Sequence, residues 1–197
     1  EAFTFTINKK DGYTYTVTAR QNDSAITVKD NGNGTYTIDK QYVNGTDITV
    51  EVGKTANRTV EVSEYVKLNG KSMFLVTVSG PVSDGNVMTY GGEAMFWSEK
   101  YNAYAYLVIS DKQLGAVKEA AVGLIGEKAG VKAEIRYDGD INGTGRVDVN
   151  DAQLVWNMYN AKYAAFGTTT MEMFLRADMN GSKTLNVDDA AAIINLI

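Results

Sequence analysis

Two acidic segments of twelve residues, set 38 positions apart, constrain this chain more than any other feature. The first runs from Asp140 to Asp151 (DINGTGRVDVND) and the second from Asp178 to Asp189 (DMNGSKTLNVDD). Each leads into an apolar pattern of helical period, AQLVWNMY after the first and AAAIINLI after the second, and Asn157 and Asn195 coincide between the copies. Both copies carry oxygen-bearing side chains at the first, third, fifth, ninth and twelfth positions, and Val147 or Leu185 at the eighth. A calcium ion takes six to eight oxygens at roughly 2.3–2.6 Å. A tight loop turns alternate side chains toward one point and lends a backbone carbonyl at its seventh position, so Arg146 and Thr184 are tolerated there. A twelfth-position carboxylate closes such a loop from the first turn of a helix, where the helix dipole favours negative charge. The expected ligands are Asp140, Asn142, Thr144, Arg146, Asp148 and Asp151 in loop one, and Asp178, Asn180, Ser182, Thr184, Asn186 and Asp189 in loop two. Loop one can direct Asp140, Asp148 and Asp151 at an ion, whereas loop two offers only Asp178 and Asp189 as carboxylates. Loop two also has Lys183 where loop one has Gly145, which requires a positive φ or a changed bend. Two calcium sites are expected, the second weaker.

Composition narrows the chemistry in the same direction. The 197 residues include no histidine and no cysteine. Zinc and thiolate sites, disulfides, and Cys–His or Ser–His–Asp catalysis are therefore excluded, leaving oxygen-ligated metals. The net charge is −5 and no basic run occurs, so nucleic acid is not an expected partner. No apolar run approaches the roughly 20 residues of a membrane span. The absence of cysteine fits a secreted bacterial protein that does without disulfides, and the start at Glu1-Ala2-Phe3, without a signal peptide, reads as a mature or excised piece. Asn-x-Ser/Thr sequons, among them Asn33, Asn44, Asn57, Asn142 and Asn180, read as turn chemistry in a Gly/Asn/Thr-rich chain. A monomer is expected.

The fold class expected is multi-domain, with three modules. Residues 1–62 alternate Thr with Phe, Tyr, Ile or Val, as in Phe3–Ile7 and Tyr13–Thr18, with turns at Asp11-Gly12, Asp30–Gly34 and Asn44-Gly45. That period of two predicts strands buried on one face, in a small all-β sandwich. Asp30–Thr35 lacks a closing carboxylate and a following helix, so it reads as a hairpin turn. Residues 63–138 form a second β-rich module, with strands expected at Tyr65–Leu68, Met73–Val78, Val87–Tyr90, Ala94–Trp97 and Ala103–Ile109, and a closing strand at Val131–Ile135. A helix is expected over 111–126, capped by Ser110 with Gln113 completing a capping box. Residues 139–197 form a small all-α module carrying the two loops.

The duplicated loop–helix resembles a dockerin domain, with a twelfth-position Asp in each copy in place of the bidentate Glu of ordinary EF-hands. The resemblance covers about residues 138–197, with Met171–Ala177 as the helix leading into loop two. It implies that calcium orders the fold and that the loop–helix surfaces contact a cohesin on a scaffold protein. It also implies that Val149 and Asn150, with Val187 and Asp188, the tenth and eleventh loop positions, contribute to partner choice. The fifth positions depart from the family in lacking Asp, with Thr144 and Ser182 there instead. A β-rich module before a dockerin resembles the X-module–dockerin pairs of rumen and gut bacteria, in which the companion props up the dockerin. The run DNGNGTYTI from Asp30 to Ile38 resembles the small immunoglobulin-like repeats of Gram-positive surface proteins.

Trp156 and Tyr159 lie on the first repeat helix with Leu154, Val155 and Met158, too many large side chains for so small a core. They are expected to meet the upstream module, a cohesin, or the core. Trp97, near Tyr90, Tyr101, Tyr104 and Tyr106, is a candidate glycan platform, with strand-pair core the plainer reading. Glu61, Glu64, Glu93 and Glu99 show no catalytic pairing, and no enzyme is expected. The function expected is non-catalytic, calcium-dependent docking that anchors a secreted bacterial protein to a cohesin-bearing scaffold or cell surface. The alternatives are a calcium-stabilised cap of an adhesin, with Trp156 and Tyr159 buried against residues 63–138, and a carbohydrate-binding accessory module.

Overall fold

The computed structural model describes residues 1–68, 70–160 and 170–197. The chain divides into two units, Glu1–Arg58 and Thr59–Ile197. In the first, six strands follow in order: β1 (Phe3–Thr6), β2 (Tyr13–Gln21), β3 (Ser24–Ile26), β4 (Val28–Asp30), β5 (Thr35–Ile38) and β6 (Thr49–Ala56). They form two antiparallel three-stranded sheets, β1-β5-β4 and β3-β2-β6. The Asp30–Thr35 segment is the β4–β5 hairpin turn, with Gly32, Asn33 and Gly34 at positive φ and the Gly32 amide donating to Asp30.

The second unit begins with β7 (Thr59–Leu68), so the expected boundary at 62/63 falls inside a strand whose ladder to its neighbour starts at Thr59. There follow β8 (Lys71–Ser79), β9 (Asn86–Tyr90), β10 (Glu93–Ala94), β11 (Phe96–Ser98), β12 (Ala103–Ser110), α1 (Leu114–Leu124) and β13 (Ile125–Ala129). One sheet has the order β11-β12-β8-β7 and the other β10-β9-β13. Helix α1 starts later than its sequence suggests. Gln113 is its N-cap without a side-chain bond, while the Ser110 hydroxyl accepts from the Lys112 amide in a turn before it. The closing strand is β13, antiparallel to β9, rather than Val131–Ile135, which makes only an isolated bridge between Trp97 and Glu134 among the described residues.

Strand β8 explains how the unit is built. Ser72 to Val78 are all buried, although neighbouring side chains of a strand point to opposite faces. Both faces of the sheet must therefore be covered. Phe74, Val76 and Val78, opposite Val108, Tyr106 and Tyr104 of β12, pack with Val117 and Ala121 of α1 and Met88 of β9. On the other face, Leu75, Ala105 and Ile135 join a core whose other buried members come from the helical C-terminus. A bulge between Glu64 and Val66 leaves Tyr65 outside the β7–β8 register. Its ring meets Phe174 edge-on at 4.8 Å between centroids.

That C-terminal part contains α2 (Val149–Tyr159), α3 (Met171–Ala177) and α4 (Val187–Ile194). Ile141, Val155, Met158, Phe174, Leu175, Leu185 and Ile193 are buried together against the sheet. Phe174→Ala empties the centre of this shared core and is expected to destabilise the second unit by about 3–5 kcal/mol, measured by denaturant unfolding. A change below 1 kcal/mol would show that this face of the sheet does not depend on the helices.

Candidate metal-binding loops and docking face

The two acidic loops fold by the same hydrogen bonds. In loop one, Asp140 accepts the Thr144 amide on Oδ1 at 2.9 Å and the Gly145 amide on Oδ2 at 2.8 Å. In loop two, Asp178 accepts the Ser182 amide on Oδ1 at 3.0 Å and the Lys183 amide on Oδ2 at 2.8 Å. Asn142 and Asn180 accept the amides of Thr144 and Ser182. Asp151 accepts the Ile141, Asn142 and Asp148 amides, and Asp189 those of Asn180 and Asn186. The Thr144 hydroxyl faces the Arg146 carbonyl at 3.3 Å, and the Ser182 hydroxyl faces the Thr184 carbonyl at 2.9 Å. Fifth- and seventh-position oxygens therefore lie side by side in both loops.

The sixth position tests the copy most sharply. Gly145 has φ +83°, and Lys183 keeps the same bend with φ +67°. A non-glycine residue in this region costs on the order of 1 kcal/mol. The Lys183 ammonium reaches Glu61 Oε2 of β7 at 2.6 Å, and that ion pair holds Glu61 below the usual carboxylate range.

The ninth positions differ from their expected role. Asp148 and Asn186 are the N-caps of α2 and α4, each accepting an amide two residues on, and each forms a capping box with Asp151 or Asp189. Capping satisfies amides that the first helical turn leaves free. Among the described residues no three acidic side chains gather as a metal cluster. The inward carboxylates of each loop are thus the first and twelfth, and the expected convergence of Asp148 with Asp140 and Asp151 is not seen, because Asp148 is engaged at the helix start.

The donor set fits a hard cation. Asp151, Asp178 and Asp189 are fully buried and Asp140 nearly so, yet none makes a salt bridge among the described residues. Backbone amides are their observed partners in loop one. In loop two the Tyr101 hydroxyl also donates to Asp178. Buried carboxylates without a counter-charge are costly. At Asp189 burial raises the pKa, while bonds from the Asn186, Asn180 and Met179 amides pull it back. A cation held by two carboxylates, a carboxamide, a hydroxyl and a carbonyl in each loop would offset that cost.

From the tenth loop position onward, α2 exposes Val149, Asn150, Trp156 and Tyr159, and α4 exposes Val187, Asp188 and Ile194. Trp156 and Tyr159 meet edge-on, 6.1 Å apart, and are 40% and 42% exposed. They are not buried against the sheet, because Phe174 and Leu175 of α3 and Val155 and Met158 of α2 occupy that side. Trp97 packs edge-on against Tyr104 at 5.1 Å, with the Lys132 ammonium over its ring, and borders the α1-side core.

Sequence reasoning missed Lys100, Tyr101 and Arg176, all of which touch the loops. Arg176 sits just before loop two but donates to the Asp140 carbonyl of loop one and lies 3.7 Å from Asp138. Nothing in the spacing of the repeats marks it. The unbroken apolar run of β8 was the available sign that another element covers that sheet face.

Residues 138–197 match the family model of the dockerin type I domain. No curated protein and no solved structure matches the chain. The chain therefore ends in a dockerin type I domain preceded by a β-rich region with several antiparallel sheets and one helix. Such a domain is a non-catalytic, calcium-binding module that docks onto cohesins. No helix among the described residues is long and apolar enough to cross a membrane.

Saturating calcium is expected to raise the melting temperature of the chain. At one hundred times Kd each site adds about 2.7 kcal/mol. Asp140→Ala, which removes the acceptor of two loop amides, should abolish one site's share. A melting temperature indifferent to calcium would remove the metal reading of both loops.

Proposed function

We propose that this chain anchors a secreted bacterial protein to a cohesin-bearing scaffold or cell surface, with the second β-rich part acting as an X-like companion to the dockerin. One ion in each loop would be held by Asp140, Asn142, Thr144, the Arg146 carbonyl and Asp151, and by Asp178, Asn180, Ser182, the Thr184 carbonyl and Asp189. Loop two is the weaker site in this reading, since the cations Lys183 and Lys100 stand beside it. Bound calcium supplies the counter-charge for the buried carboxylates and fixes the entry of α2 and α4. The residues of the chain do the rest. The capping boxes set the helix starts, and the helices present Val149, Asn150, Trp156 and Tyr159 on one side and Val187 and Asp188 on the other.

The observation that carries the reading is the exposed apolar stripe that recurs at equivalent positions of the two repeats. Val149 and Trp156 correspond to Val187 and Ile194, and all four side chains are exposed. Isolated exposed apolar residues are ordinary, whereas a contiguous patch beside an ordered loop marks an interaction surface. The same exposure weighs against a cap that hides Trp156 and Tyr159 on its own chain. A surface fixed before encounter also spares the partner complex most of the ordering cost.

Titration against a panel of cohesins tests this directly. Binding at micromolar concentration or tighter is expected with calcium, with loss on chelation. Trp156→Ala should weaken it by at least 2 kcal/mol, about thirtyfold, if Trp156 is a central anchor. Absence of binding to every cohesin in the panel, or binding that survives chelation, would count against the proposal.

A further inference from the structure

Loop two is held from outside its own repeat. Lys100 and Tyr101 occupy the turn between β11 and β12. The Lys100 ammonium donates to the Asp178 and Met179 carbonyls. The Tyr101 hydroxyl donates to Asp178 Oδ2, the same oxygen that receives the Lys183 amide. Lys183 in turn pairs with Glu61 of β7. All these partners belong to the β-rich part of the second unit.

Loop one shows what is unusual. Its equivalent oxygen, Asp140 Oδ2, receives only the Gly145 amide among the described residues. Its first-position carbonyl is bonded by a cation too, but that cation is Arg176, from the dockerin domain itself. The contact that the domain provides internally for loop one is supplied for loop two by the sheet.

We propose that Tyr101 is a positioning residue for calcium at loop two, completing that site across the boundary between the sheet and the dockerin domain. This rests on the reading of loop two as a calcium site. A first-position carboxylate must hold one oxygen toward the ion, and a hydroxyl bonded to the other oxygen fixes its rotation before the ion arrives. Partners behind a metal ligand commonly change affinity by 10–100-fold when removed. Burial, together with the Asp178 charge, pushes the Tyr101 phenol up. Tyr65 lies on the same side. Its hydroxyl is buried without a hydrogen-bond partner among the described residues, and the charges of Asp189 and Asp178 push its phenol up beyond the effect of burial. The two repeats thus differ in self-sufficiency. Linkage is reciprocal, so calcium at loop two also tightens the β11–β12 turn onto the dockerin domain.

The test is calorimetric calcium titration of the whole chain, wild type against Tyr101→Phe, with the metal-free melting temperature of each recorded. Phe keeps the ring in the core and removes only the hydroxyl. Two binding constants are expected in the wild type. In Tyr101→Phe one of them should fall about tenfold while the other stays within twofold, and it should be the constant that Asp178→Asn removes. Two unchanged constants would overturn the role of Tyr101 and leave the calcium reading standing. Two constants falling together, with a lower metal-free melting temperature, would also overturn it, marking a general packing role. A wild-type chain that binds no calcium would overturn the loop reading and this proposal with it.

Discussion

The second unit depends on the need to cover both faces of one four-stranded sheet. Strand β8 is buried along Ser72–Val78, with Phe74 and Leu75 each inaccessible on opposite sides. Helix α1 and the β9 sheet cover one face, and the dockerin helices cover the other. At about 25 cal/mol per Å² of apolar surface, leaving the Leu75–Ala105 face open to water would be a large penalty for a domain of this size. The dockerin domain is therefore part of the sheet's fold, and the sheet is part of the dockerin's core.

That packing places polar chemistry at the boundary as well. Once Phe174 rests on Tyr65, the β11–β12 turn lies against loop two, and Lys100 and Tyr101 meet the Asp178 end of that loop. Burial of Lys100 lowers its pKa, and the nearby Asp178 and Asp189 charges act in the opposite sense. Lys183 holds a left-handed backbone in loop two while its side chain pairs with Glu61 of β7. The second loop departs from the first at the positions where the sheet takes part.

Much of this was legible in the sequence. The period-two runs of Thr with Tyr, Val and Ile mark the first unit's strands, most clearly β2 and β5, where alternate side chains turn inward. The duplicated loops mark themselves, because their ligand spacing is set by ion size and loop geometry rather than by distant contacts. The position of Lys183 called for a positive φ or a changed bend, and the structure has the positive φ. What was not legible depends on tertiary neighbours. The role of Asp148 as a helix cap, the reach of Arg176 to the other loop, and the Tyr101–Asp178 bond link residues that the sequence keeps apart. Trp156 and Tyr159 were ambiguous for the same reason, since an apolar residue on a helix does not announce which surface it faces. The start of β7 at Thr59 was hidden because its alternation continues that of β6 almost without a break.

Sharing one core, the sheet and the dockerin domain are expected to unfold as one cooperative body. The two tryptophans report on its two parts, Trp97 on the sheet and Trp156 on α2. In a Trp156→Phe chain, thermal unfolding followed by Trp97 fluorescence reads the sheet alone. Calcium is expected to raise this Trp97 transition, although no expected ligand lies in the sheet. A Trp97 transition at the same temperature with calcium and with chelator would contradict it.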